Sequence, residues 1–151
     1  MANVTSLALG STVGVAGETI GIQRWEHEIS IAALVTAGLL TTEYAVVLNV
    51  PADTYLTLEQ VEVVDALSLG AGARIDIGDS ADDDEFVSNA TTLTAGTNLT
   101  LIKVNGSSGN VYTAADTIRL KVTGGTIASG KLRFAGTIMS TARNAPMTNQ
   151  A

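Results

Sequence analysis

Alternation of apolar and polar positions is clearest toward the C-terminal end of the chain. Ile118, Leu120 and Val122 alternate with Arg119 and Lys121; after Gly124, Gly125 and Gly130, a second run sets Leu132, Phe134, Gly136 and Ile138 between Lys131, Arg133, Ala135 and Thr137. A period of two marks a strand with one buried face. Two such runs around a glycine turn predict an antiparallel hairpin, apolar inward and basic outward, with Arg119, Lys121, Lys131 and Arg133 on one face of neighbouring strands. Further strands are predicted at Tyr44–Val50, ended by Pro51 because proline cannot donate to a ladder, and at Tyr55–Val64, where Val61, Val63 and Val64 are β-branched and Glu59 and Glu62 can face water, with a helix as the alternative there. Arg74–Gly78 reads as a short strand and Leu99–Val104 as another, stopped by the turn signal Asn105–Asn110. The stretch 28–40 suits either a strand followed by a loop or one short helix, and its periodicity does not choose.

These patterns leave two ends without periodic apolar positions. Residues 1–18 are small and mildly apolar with three glycines, which predicts an extended arm. Residues 141–151 contain Asn144-Ala145-Pro146 and read as a tail, so a single β domain is expected over 19–140. A chain of 151 residues suffices for one real core.

Composition sharpens the class. Charged residues are only 15% of the chain and apolar ones 46%, with 15 glycines to turn short strands, which predicts an all-β protein. Mean hydropathy of +0.30 is high for a small monomer, and either a rich core or a large subunit interface would account for it. Cysteine is absent, which rules out disulfides and thiolate metal sites. The apolar run Ile29–Leu40 is too short to span a bilayer, and no basic segment precedes an apolar one at the N-terminus, so neither a membrane span nor a cleaved leader is expected. A net charge of −7 disfavours nucleic acid as a partner, since phosphate contacts need Lys and Arg. Protein partners are expected instead.

Chemistry-bearing patterns are sparse, and no catalytic residue, cofactor site or metal site is assigned. His27 is the single histidine and reads as a packing or surface residue. Trp25, the single tryptophan, reads as a core or interface anchor. No Gly-x-Ser-x-Gly elbow surrounds any serine, and Gly70-Ala71-Gly72 is followed by strand-like residues where a phosphate loop needs a helix. The acidic run Asp79–Glu85 departs from the helix-flanked calcium loop because Asp84 stands where that loop needs glycine; a solvated loop, an acidic partner for a basic surface and a cation site remain as readings. Sequons at Asn3, Asn89, Asn98 and Asn105 fit chance in a Thr-rich chain without a secretion signal.

Two stretches carry a resemblance. Ile75–Val87, a strand followed by Gly-Asp, an acidic loop and an aromatic-aliphatic pair, and Val111–Thr126 continued by Gly130-Lys131-Leu132-Arg133-Phe134, resemble segments of small structural proteins of tailed bacteriophages, capsid decoration or cement-like. The resemblance implies virion assembly and offers no catalytic residue to carry over. The expectation is a single β-sandwich or jelly-roll-like domain, not an enzyme, binding the major capsid protein and itself as a homotrimer on the outer surface of a capsid made in the bacterial cytoplasm. Its contact residues would be Arg119, Lys121, Lys131, Arg133 and Trp25. A tail-associated or head-fibre protein would show the same composition. A carbohydrate-binding sandwich would want more aromatics than the 4% present.

Overall fold

The computed structural model describes residues 22–37, 44–91, 93–102 and 109–141; the expected arm 1–18 and all but Thr141 of the expected tail lie outside them. Eight strands and one short helix follow in the order β1 (Gln23–Ser30), α1 (Ile31–Thr36), β2 (Tyr44–Val50), β3 (Thr54–Leu69), β4 (Arg74–Gly78), β5 (Val87–Ala90), β6 (Gly109–Tyr112), β7 (Asp116–Thr123) and β8 (Ile127–Ser140). They form two four-stranded antiparallel sheets, β1-β8-β3-β6 (sheet A) and β2-β7-β4-β5 (sheet B). The pairs β1·β8, β2·β7, β3·β6 and β4·β5 nest about the middle of the chain, as in a long ribbon folded at the β4–β5 connection and rolled up. That order is a jelly roll. Inward residues of sheet A, among them Leu56, Leu58, Val61, Leu132 and Phe134, meet Ile75, Ile77, Ile118, Leu120 and Val122 of sheet B in one continuous core.

The expected terminal hairpin does not form. β7 pairs with β2 and β4, and β8 with β1 and β3, so the turn at Gly124–Gly125 carries the chain from one sheet to the other. The alternation identified the buried face of each strand correctly; an inward-facing strand looks the same whether its successor lies beside it or across the core.

Of segment 28–40, residues 38–40 lie outside the described residues, and 28–37 form the end of β1 followed by a turn of helix. Ser30 caps it, its Oγ accepting from Ala33 N at 3.4 Å, and Ile31 and Leu34 are buried one turn apart. Residues Leu99–Ile102 are not a strand. Leu99 N donates to the Val61 carbonyl of sheet A, whereas Ile102 N donates to Phe86 beside sheet B, so the segment crosses between ladders. Gly70–Gly72 and Gly124–Gly125 are interlocking turns: Gly70 N donates to Thr126 O at 2.7 Å, and Gly72 and Gly124 have φ of 81° and 77°.

Two interactions tie distant strands together. Trp25 on β1 lies across Gly136 of β8 and donates from Nε1 to the Thr57 carbonyl of β3 at 3.2 Å, one side chain spanning three strands. A Cβ on Gly136 would overlap the Thr57 carbonyl oxygen and meet Trp25 Nε1 at 3.0 Å. At the other edge Asp79, which follows β4, is only 4% exposed and collects four donors: Ala81 N (2.9 Å) and Asp82 N (3.1 Å) on Oδ1, Tyr112 Oη (2.9 Å) and Asn110 Nδ2 (3.3 Å) on Oδ2. Because Tyr112 belongs to sheet A, this carboxylate ties the two sheets at the fold of the ribbon. Burial pushes the Tyr112 hydroxyl well above the usual phenol range.

Gly136→Ala should therefore destabilise the domain by about 1–3 kcal/mol through overpacking, read as a lower urea midpoint; a midpoint equal to the parent's would show that the Trp25 bridge tolerates a methyl group. Tyr112→Phe should cost about 1–3 kcal/mol at neutral pH, because buried Asp79 loses a donor. The raised phenol favours the folded state below the free tyrosine value near 10, and that contribution fades as pH rises past it, since only the unfolded chain then ionises readily. Denaturation followed from pH 8 to 11 should show the parent losing more stability than Tyr112→Phe; parallel curves would contradict the assignment.

Candidate functional site

With β7 and β8 in different sheets, the four basic residues part into two pairs on opposite faces of the sandwich. Arg119 and Lys121 lie on the outer face of sheet B, Lys131 and Arg133 on that of sheet A. The expected four-fold basic cluster is thus corrected. Each member has a partner within the chain. Lys121 Nζ lies 2.6 Å from Asp83 Oδ2, and the Arg119 guanidinium stacks 4.4 Å from the centroid of the Tyr44 ring while its Nε donates to Thr117 Oγ1 at 2.9 Å. On sheet A the register sets Glu28, Arg133 and Glu62 side by side on β1, β8 and β3; Arg133 Nη1 reaches Glu62 Oε2 at 2.9 Å and Nη2 reaches Glu28 Oε2 at 3.7 Å. Lys131 Nζ lies 3.7 Å from Asp65 Oδ2. All are partly exposed, so each pair contributes between nothing and about 1 kcal/mol.

The acidic run is a folded turn whose residues Ser80–Asp83 are exposed to solvent. It bends back over Gly78, whose Cβ would overlap the Asp82 carbonyl, and Asp79 N donates to that carbonyl at 2.9 Å. Its carboxylates serve as acceptors for the surrounding chain. Asp84 accepts from Ser88 Oγ at 2.8 Å and Glu85 from Asn110 Nδ2 at 3.1 Å, while Ser80 of the run donates from Oγ to Asp116 on β7 at 2.8 Å. The Ser88 hydroxyl holds the Asp84 carboxyl below its ordinary range, and a hydrogen bond with the Asp84 carboxyl raises Asp82. Among the described residues no group of three or more metal-ligating side chains converges. Of the readings open from sequence, the solvated one fits the exposed residues Ser80–Asp83, and the acidic partner for a basic surface fits Asp83, which meets Lys121.

Trp25, 4% exposed, anchors its own core and presents little surface to a partner of the isolated chain. His27 faces inward on β1 opposite Phe134. Asn89 and Asn98 of the sequons are exposed; Asn3 and Asn105 lie outside the described residues. A shallow cleft of about 450 Å³ opens on sheet A beside a bulge at Leu58/Gln60, lined by Arg24, Glu59, Gln60, Asn98 and Leu99. Sequence reasoning missed it, because it depends on which strands flank β8; the alternating charges Arg24, Glu26 and Glu28 on β1 were the available signal. Large apolar side chains exposed among the described residues are few, namely Ile22, Ile102 and Val111.

No protein-family model and no curated protein matches the chain. Solved structures do. A chain of the cyanophage Pam1 capsid asymmetric unit aligns with a TM-score of 0.57 at 18% identity, over 90% of this chain and 96% of that one. A chain of the capsid of Ralstonia phage GP4 aligns with a TM-score of 0.58 at 15% identity, over 89% and 92%. At these identities the likeness is one of fold, and it spans nearly the whole length of every chain compared.

Proposed function

We propose that this chain is a structural protein of a tailed-bacteriophage particle, a decoration (cement) protein that binds the shell of major capsid protein from outside as a homotrimer and stabilises it. The observation that carries the reading is the near end-to-end overlap of its fold with chains from two phage capsids. The surface fits a binding role without catalysis: Lys121, Lys131 and Arg133 are engaged in ion pairs, and the acidic turn is held by hydrogen bonds. Repetition on a symmetric shell multiplies modest contacts of this kind into avidity.

The basic residues contribute to the contact as two separate faces. Sheet B is the better candidate to meet the shell, because Arg119 and Lys121 share its outer face with Arg74. The assay is co-sedimentation of the purified chain with empty capsids and, in parallel, with isolated tails. Binding to capsids is expected, and it should weaken as salt rises to about 0.5 M, where screening acts within a few ångströms. Arg119→Gln with Lys121→Gln should weaken binding at low salt and flatten its salt dependence, whereas Lys131→Gln with Arg133→Gln should change it less. Binding to tails alone would favour the tail-associated reading, and double variants that both bind like the parent would remove the basic faces from the contact.

A further inference from the structure

Two of the three large apolar side chains exposed among the described residues, Ile22 (66%) and Val111 (59%), fall on one line across the outer face of sheet A. Tyr55 on β3 is the register partner of both Met139 on β8 and Val111 on β6, and continuing the unbroken β1·β8 register by one residue sets Ile22 opposite Met139. The burial pattern points all four outward, since Leu56, Tyr112 and Ile138 beside them face the core. The result is a transverse apolar row, Ile22–Met139–Tyr55–Val111, running from one edge of the sheet to the other. Gly109 is part of it: a side chain there would strike the Tyr55 ring, which lies over the β6 backbone. Elsewhere this face carries ion pairs, such as Glu28–Arg133–Glu62 and Lys131–Asp65. A continuous apolar line on an otherwise charged face is a feature of contact surfaces.

We propose that this row is where a second copy of the chain docks, in a head-to-tail contact that closes into a ring. The inference deepens the self-association included in the proposed function. Charge complementarity selects the occupant. Arg24 sits two residues along β1 from Ile22, about 7 Å away at the strand rise, and forms no ion pair among the described residues. Glu59 sits on β3, toward the Val111 end, and accepts a neutral hydrogen bond from Thr57 Oγ1. Arg24 and Glu59 line the same cleft beside the row without pairing with each other. The row is thus flanked on its cleft side by a cation toward one end and an anion toward the other, neither in an ion pair among the described residues. A copy approaching end to end brings its Arg24 to the neighbour's Glu59 while Ile22 and Val111 bury each other. Such a contact uses two different patches of one surface, which is what a ring requires.

The test is the mass of the full-length chain by light scattering at about 50 µM, a concentration at which contacts of micromolar Kd are occupied. The parent should be a ring-sized oligomer. Val111→Asp should dissociate it, and Arg24→Glu and Glu59→Arg should each raise the apparent Kd by about tenfold or more, as loss of a central contact does. The chain carrying both charge reversals should reassemble, since the pair is restored with its signs exchanged. Circular dichroism and the melting midpoint of each variant, matched to the parent, keep misfolding from passing as dissociation. A monomeric parent, an oligomer indifferent to Val111→Asp, or a double reversal that stays apart would each overturn the inference. Capsid co-sedimentation of the same samples keeps the two proposals separate: a monomer that still binds capsids refutes the row and not the shell, and a ring that ignores capsids does the reverse.

Discussion

Each sheet has one apolar face, and the only surface large enough to cover it is the apolar face of the other sheet. The rest of the molecule follows from that mutual dependence. Apart from the β4–β5 step, consecutive strands lie in opposite sheets, so neither layer is completed before its partner. The chain cannot build this core from local hairpins; it must close long-range pairings such as β1 with β8. High separation in sequence makes such pairings costly in loop entropy. Two side chains hold the long-range geometry once formed: Trp25 across β8 to the Thr57 carbonyl, and Asp79 to Tyr112 between the layers.

The same dependence sets how far the sequence can be read. The all-β class, the existence of β2, β3, β4, β7 and β8 and the inward positions of β7 and β8 were legible, because a period of two is a property of one strand and one buried face. Strand partners were not. Ile118–Val122 and Leu132–Ile138 alternate as a hairpin would, yet they face each other across the core. β1 went unread because Gln23–Ser30 puts Glu and His where a β-former would be expected, although its inward Trp25 and Ile29 and outward Arg24, Glu26 and Glu28 carry the right period. β5 and β6, at four residues each, are too short to show any period.

Charge shows the consequence most directly. On a hairpin, four basic residues on one face would repel one another and demand an external anion. The jelly roll removes that demand by sending two to each side, where carboxylates from strands distant in sequence meet them: Glu28 and Glu62 flank Arg133, and Asp83 of the ribbon's turn reaches Lys121. The acidic run, which in isolation suggests a solvated or cation-binding loop, turns carboxylates onto a serine hydroxyl, an asparagine, a tyrosine and its own backbone.

A surface organised this way leaves little for a partner to grip, and what remains is informative. Pairs already satisfied within the chain gain nothing by being buried against another protein, because the desolvation cost is not offset by a new bond. The groups that can gain are those that lack apolar cover or an ion pair among the described residues: an apolar line at one end of sheet A, a guanidinium on β1 and a carboxylate on β3. Their placement depends on strand order, since Ile22, Met139, Tyr55 and Val111 are scattered over 118 positions of sequence and adjoin only because β8 and β3 lie between the two edge strands. The element that defeated local reading of the chain, the pairing of distant strands, is therefore also what assembles its most distinctive exposed surface.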